Sequence, residues 1–373
     1  MRRSTKKYSE DKYFLLVLLL FVLLIIEPFL PKKEKETIKE KEIEINEYEI
    51  VQEFKYDDSK NSHITCVVTD RGHDIYTPNS STAYRYGPSF MLDDDGSVDA
   101  YFSSPGNMSS EWDYIRYRHM DKDGNWGNEE IVLKPNKKSL DSCSTCDPGM
   151  FYYDGYYYLG YTSTNNSELK GYDNQIFVAR SEEPYGPFEK WNGNGWGGNP
   201  APIIEYNDNP KFWGYGEVSF VIKDETLYIY YSAYVENGSM TLVRTAPLDE
   251  NWPLNISDSK LAFNKRYGQD SSEVVYMEEY SRFMSFSIAN RLTDCSSLCI
   301  YESLDGINFT CSEILEGAIE PYSHSVGVTK RSDGHIKKDD QLFIGYAYGE
   351  TWGKWATRIA PIEIETYVGE PRG

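Results

Sequence analysis

A short strand–turn–strand unit recurs five times along this chain, and its spacing narrows the folds open to it. The clearest copy is DPGMFYYDGYYYLGYTS, residues 147–163. Residues 150–153 and 156–162 read as two strands folded back around Asp154-Gly155. A tight two-residue turn needs positive φ, and Gly supplies it at no steric cost. One polar residue, Asp147, stands just ahead of the first strand, followed by Pro-Gly. Similar segments are YGPSFML from Tyr86, GEVSFVI from Gly216, QDSSEVVY from Gln269 and SHSVGVT from Ser323, each followed by a second β-favouring run.

The lead residues of the five copies are Gly87, Asp147, Glu217, Asp270 and His324, separated by 60, 70, 53 and 54 positions (147−87, 217−147, 270−217, 324−270). Further strands fall between them at 114–118, 175–180, 241–244, 298–301 and 355–359. No stretch beyond Tyr48 carries a 3.6-residue apolar period, so the chain is all-β. Units of 50–70 residues with several short strands each are what propeller blades produce, and five of them predict a five-bladed β-propeller over 50–373. In a propeller every innermost strand starts at the same end of the central channel. Two Asp, one Glu and one His would then meet around one pocket, a gathering of ionisable groups that stability alone does not call for. The competing structural reading is that they cap strand ends or hold an ion on the axis.

Charge and cysteine content bound the partners. The net charge of −21 opposes nucleic acid, whose phosphates need the other sign. Of the six Cys, Cys143 and Cys146 have metal or redox spacing, but no second such pair and no nearby His pair completes a zinc site. In an oxidising compartment, Cys143–Cys146 and a pairing among Cys295, Cys299 and Cys311 would be disulfide candidates.

At the N-terminus a basic flank (1–12) precedes an apolar run at 13–31, long enough at 1.5 Å per residue to approach the width of a bilayer core. The flank predicts a single-pass transmembrane helix with the rest of the chain extracytoplasmic. A cleaved signal peptide is the rival, and no small-x-small site follows the run. Residues 32–49, rich in Lys and Glu, read as a charged spacer.

The order of these pieces carries a family resemblance. Asp147-Pro148 at one strand start, Gly216-Glu217 at the next, and Ala179-Arg-Ser-x-x-Pro-Tyr-Gly-Pro-Phe188 between them resemble the five-bladed propeller glycosidases of glycoside hydrolase family 43, the β-xylosidases and arabinofuranosidases. The likeness runs over about 84–365. It implies hydrolysis of O-glycosidic bonds in an oligo- or polysaccharide by inversion, with Glu217 as general acid and Asp147 as the carboxylate that orients and tunes it. A Glu enclosed beside another carboxylate keeps its proton near neutral pH, which suits that role. The resemblance gives Asp270 and His324 substrate contact or ion support. It needs no cofactor and allows a structural Ca2+ on the axis. Trp213 and Tyr215 are candidate sugar platforms, since sugars offer flat C–H faces to aromatic rings.

The first unit departs from the family. Where the resemblance implies a general-base Asp, this chain has Gly87. Three replacements are open: Asp70 or Asp74 from upstream, Asp270 from another unit, or none, leaving a propeller that binds carbohydrate without cleaving it.

Overall fold

The near-continuous apolar runs of the inner strands are explained by burial on both faces. Met150 faces one neighbouring sheet and Phe151 the other; Phe220 and Val221 alternate in the same way, as do Val274 and Val275. The structure, a computed structural model, describes residues 62–79, 83–107, 110–166, 172–209, 211–235, 238–264 and 270–373. The expected membrane segment at 13–31, its basic flank and the spacer at 32–49 lie outside the described residues. Among the described residues no helix is long and apolar enough to cross a membrane.

Two strands, β1 (His63–Val68) and β2 (His73–Tyr76), precede five antiparallel four-stranded units. The first holds β3 (Tyr86–Leu92), β4 (Val98–Pro105), β5 (Asp113–Met120) and β6 (Glu130–Leu133). The second holds β7 (Cys146–Tyr153), β8 (Tyr156–Ser163), β9 (Gln175–Ser181) and β10 (Glu189–Lys190). In the third are β11 (Gly214–Lys223), β12 (Thr226–Val235), β13 (Gly238–Pro247) and β14 (Lys260–Asn264). The fourth contains β15 (Ser272–Met277), β16 (Arg282–Ala289), β17 (Ser297–Ser303) and β18 (Thr310–Leu315). The fifth runs β19 (Ser323–Arg331), β21 (Phe343–Tyr348) and β22 (Ala356–Tyr367), and the two-residue β20 (His335–Ile336) between them leaves to pair with β15. Its fourth strand is β1, antiparallel to β22 from His63 opposite Tyr367 to Val68 opposite Ile362.

The inner strands β3, β7, β11, β15 and β19 each touch the next, and β19 returns to β3 through a parallel pairing of Thr329–Arg331 with Phe90–Leu92. The ring is closed, and the architecture is propeller-like, as the repeat predicts. Close approach at the axis demands glycine in places: a Cβ on Gly149 would stand 2.1 Å from the carbonyl oxygen of Val218, and one on Gly327 2.1 Å from that of Pro88. Each neighbouring pair of units buries its own apolar cluster; Phe151, Tyr158, Phe220 and Trp252 anchor the one between the second and third. The hairpin anticipated at 150–162 is β7–β8, with Asp154 at φ 48° and Gly155 at φ 84° forming its turn.

The disulfides entertained above are not formed: none of the six Cys is bonded to another. Cys299 and Cys311 sit on adjacent strands, but Cys299 is opposite Ile314 and Cys311 opposite Tyr301, so their side chains do not face across the ladder.

Candidate active site

Four of the five inner strands open with the same local distortion. The pairing slips between Tyr86 and Ser89, Cys146 and Gly149, Gly216 and Ser219, and His324 and Val326. Each slip is a bulge that adds a residue and re-aims its side chain. The added residue is left-handed in every case: Gly87 at φ 57°, Asp147 at 50°, Glu217 at 55° and Ser325 at 53°. For a non-glycine residue this conformation costs about 1–2 kcal/mol, so something must hold it. The neighbouring unit does. Asp147 N–H donates to Ser103 Oγ (2.8 Å), Glu217 N–H to Thr162 Oγ1 (2.9 Å) and Ser325 N–H to Asp270 Oδ2 (2.8 Å).

These bulges line one small axial cavity of ≈ 20 Å³, bounded by Gly87, Asp147, Glu217, Ser272, Glu273 and Ser325 among others. Asp147, half-buried at its wall, has its carboxyl pushed up to about 7, chiefly by loss of water and further by the charges of Asp113 and Asp270. Behind it Asp113, fully enclosed, is raised to about 6 by burial, against the hydrogen bonds of Tyr84 (2.6 Å) and Ser144 (3.0 Å). On the other side Tyr234 bridges two carboxyls, with its hydroxyl 3.1 Å from Glu217 Oε2 and 2.9 Å from Asp270 Oδ1. Arg291 Nε lies 3.5 Å from the same Asp270 oxygen.

Asp147 carries a consequence for stability. Its folded value lies above the ordinary carboxylate value, so the folded state holds a proton that the unfolded chain releases. The associated stability is complete below the unfolded value and is lost as pH rises through about 7. Asp147→Asn removes that dependence. The difference in melting temperature between variant and wild type is expected to move in the variant's favour from pH 4 to pH 8, as read by thermal unfolding; parallel curves would rule it out.

No protein-family profile matches the sequence, and no curated protein matches it. Solved structures do match. An endo-arabinase from Bacteroides thetaiotaomicron aligns over 81% of this chain and 100% of its own, with a TM-score of 0.55 and 17% identity. A family 117 glycoside hydrolase from the marine bacterium Zobellia galactanivorans aligns over 81% and 90%, with a TM-score of 0.53 and 15% identity. A thermostable family-43 glycoside hydrolase aligns over 79% and 93%, with a TM-score of 0.52 and 16% identity. The fold is that of the propeller glycosidases.

Within this propeller glycosidase fold the residues singled out from sequence separate into groups. Asp147 and Glu217 face the cavity. Asp270 precedes β15 and reaches the network through Tyr234 and Ser325 rather than by lining the cavity. The fifth lead position falls on Ser325, one residue beyond His324. The His324 ring is instead buried against Trp355 (4.4 Å) and Tyr86 (6.0 Å), and neither ring nitrogen makes a hydrogen bond of normal geometry among the described residues. Burial, reinforced by Arg291, pushes His324 down to about 3, so it is a neutral imidazole. Tyr215 packs on Tyr206 and Tyr231 inside the third unit. Trp213 stands 41% exposed in the loop ahead of β11, edge-on to Tyr172. Neither lines the axial cavity. Asp74 is engaged by Arg358 (2.8 Å) and Tyr348, and Asp70 by Gly72 N–H (2.9 Å); neither reaches the cavity wall.

Tyr234, Arg291 and Lys330 were not legible as site residues. Lys330 is 2% exposed, and its ammonium donates to Ser219 Oγ (3.1 Å), Phe220 O (3.1 Å) and Val274 O (3.4 Å) while pairing with Glu273. It thus ties β11, β15 and β19 together across the axis. A Lys directly after the Val326–Thr329 run of an inner strand was the available signal. A calcium ion on the axis would need six to eight oxygen ligands. The ammonium already engages the oxygens deeper on the axis, and the region of His324 offers ring nitrogens and a guanidinium.

Proposed function

We propose that this protein is a glycoside hydrolase acting on pentose-containing glycans, with Glu217 as general acid and Asp147 as the carboxylate that orients it. The observation that carries the reading is the proton count around Tyr234. A phenol has one proton to donate, yet its oxygen is within hydrogen-bond reach of two carboxyls. The hydroxyl cannot serve both at full strength, so a proton on one of the carboxyls relieves the crowding. Asp270 faces the Arg291 cation and accepts from Ser325 N–H, so it favours the ionised form. We assign such a proton to Glu217, which lines the cavity, where a leaving-group oxygen needs one. Two structures of like fold support a carbohydrate ligand: an α-L-arabinofuranosidase solved with cellotriose, and a hydrolase solved with xylotriose, a pentose oligomer. Glu217→Gln is expected to cut release of a chromophore from aryl arabinofuranosides or xylosides by about 100-fold or more. Unchanged release would remove Glu217 from the mechanism.

A second reading is favoured by one feature. Gly87 contributes no carboxylate to the cavity wall, which favours a carbohydrate-binding propeller that has given up cleavage. Binding of arabino- or xylo-oligosaccharides with no turnover would establish it. The basic flank and the apolar run at 13–31 support an extracytoplasmic location for either activity; protection of the folded domain from external protease on intact cells would refute that.

A further inference from the structure

At the ends of β15 and β19, where the turns of the fourth and fifth units meet, three ligand-type side chains converge. His335 Nδ1 lies 3.0 Å from Glu278 Oε1 and 3.6 Å from Asp333 Oδ2, and one ligand atom from each residue lies within 4.8 Å of the other two. From this cluster we infer a binding site for a divalent transition-metal ion of the zinc type.

The argument rests on the other ring nitrogen. His335 Nε2 is 2.6 Å from the carbonyl oxygen of Ile222, which can only accept. Nε2 therefore carries an N–H, and Nδ1 points at two carboxylates, 3.0 and 3.6 Å away. Positive charge has to lie at Nδ1 between the two carboxylates, carried either by a proton, which makes the ring an imidazolium, or by a metal ion. This is also the arrangement of a metal-binding His, whose distal N–H is held by a backbone carbonyl that fixes tautomer and ring direction. The spacing agrees: tetrahedral zinc at about 2.0–2.1 Å from its ligands sets them about 3.3–3.4 Å apart, and the two His335 distances bracket that value. Imidazole with two carboxylates suits zinc better than calcium or magnesium, which take oxygen alone.

The ligands stand on a fixed frame. Ile222 N–H donates to Asp333 O (2.8 Å), Tyr276 N–H to Gly334 O (3.0 Å) and Glu278 N–H to Ile336 O (3.2 Å). Asp333 Oδ1 accepts from His335 N–H (2.9 Å), which leaves Oδ2 turned toward the imidazole. Gly334 has φ 83°, and a Cβ there would be 2.6 Å from Phe220 O, so the turn lies tight on the third unit. The Tyr276 ring packs on the His335 ring at 5.0 Å. Glu278 is exposed, which gives the ion a way in and leaves a coordination position to water.

The test is titration of the EDTA-stripped full chain with zinc chloride by calorimetry, at pH 7.5 and at 6.0. One ion per chain is expected, with binding weaker at pH 6.0 because protons compete for the ligands. His335→Ala should abolish it. Glu278→Gln, at an exposed side chain that leaves the frame intact, should weaken it about ten-fold or more. If the wild type takes up no zinc, the cluster is an imidazolium held by two carboxylates and the inference fails. It fails equally if Glu278→Gln binds as tightly as the wild type.

Discussion

Replacing Gly87 by Asp is expected to raise glycoside hydrolysis by about 10²–10⁴-fold, the usual contribution of a general base. The backbone is ready for it. Gly87 already has φ 57°, beside 50° at Asp147 and 55° at Glu217, and Asp tolerates the left-handed region better than most residues. A Cβ at this position would meet Asp147 Oδ1 and Ser103 Oγ at 3.3 Å each, contacts that a few tenths of an ångström of movement relieve. The new carboxyl would hang at the wall of the cavity that Glu217 also lines. Steady-state rates on aryl arabinofuranosides and xylosides measure the gain, and placing the change on a Glu217→Gln background should cancel it. A folded Gly87→Asp protein with no gain would show that the first unit's missing carboxylate is not what limits turnover.

Lys330→Met should be the most destabilising single change near the axis, about 3–5 kcal/mol, because it strands a buried acid without its partner. Glu273 is enclosed, and burial raises its carboxyl against the pull of Lys330 and Ser219. Met keeps most of the side-chain volume, so the loss reports charge and hydrogen bonds rather than a cavity. Adding Glu273→Gln removes the stranded charge and should recover much of the stability. Urea unfolding of the two variants beside wild type decides this, with the slopes checked for constancy. A Lys330→Met midpoint equal to wild type would mean that the ammonium does not hold the three strands.

How far the sequence reached follows from where each piece of information lies. The hairpins were legible because Asp154-Gly155 and its counterparts are local, and the near-constant spacing gave the ring of five units. Asp147 and Glu217 were legible because each leads a strand. The fifth lead was misjudged by one, from Ser325 to His324, because a bulge adds a residue and breaks the two-residue alternation that sets register. Tyr234 is next to last in β12, the second strand of its unit, and Arg291 lies beyond β16; no spacing rule brings them to Glu217 and Asp270. The pairing of β1 with β22 joins residues about 300 positions apart, so nothing near 63–68 announces a partner.

That pairing sets the order in which the molecule can be finished. Residues 63–68 leave the ribosome early, yet the groups that receive them arrive at the end: β22, and beside it Glu302, which bonds His63 and the Ile64 amide (3.1 Å). Until then the last unit is one strand short, with an open ladder of the kind that recruits strands from other chains. A nascent chain has to keep its first strand unspent through some 290 residues of synthesis. A circularly permuted version whose new ends fall between two units, with the old ends joined, would make that strand and its partner neighbours in time as well as in space.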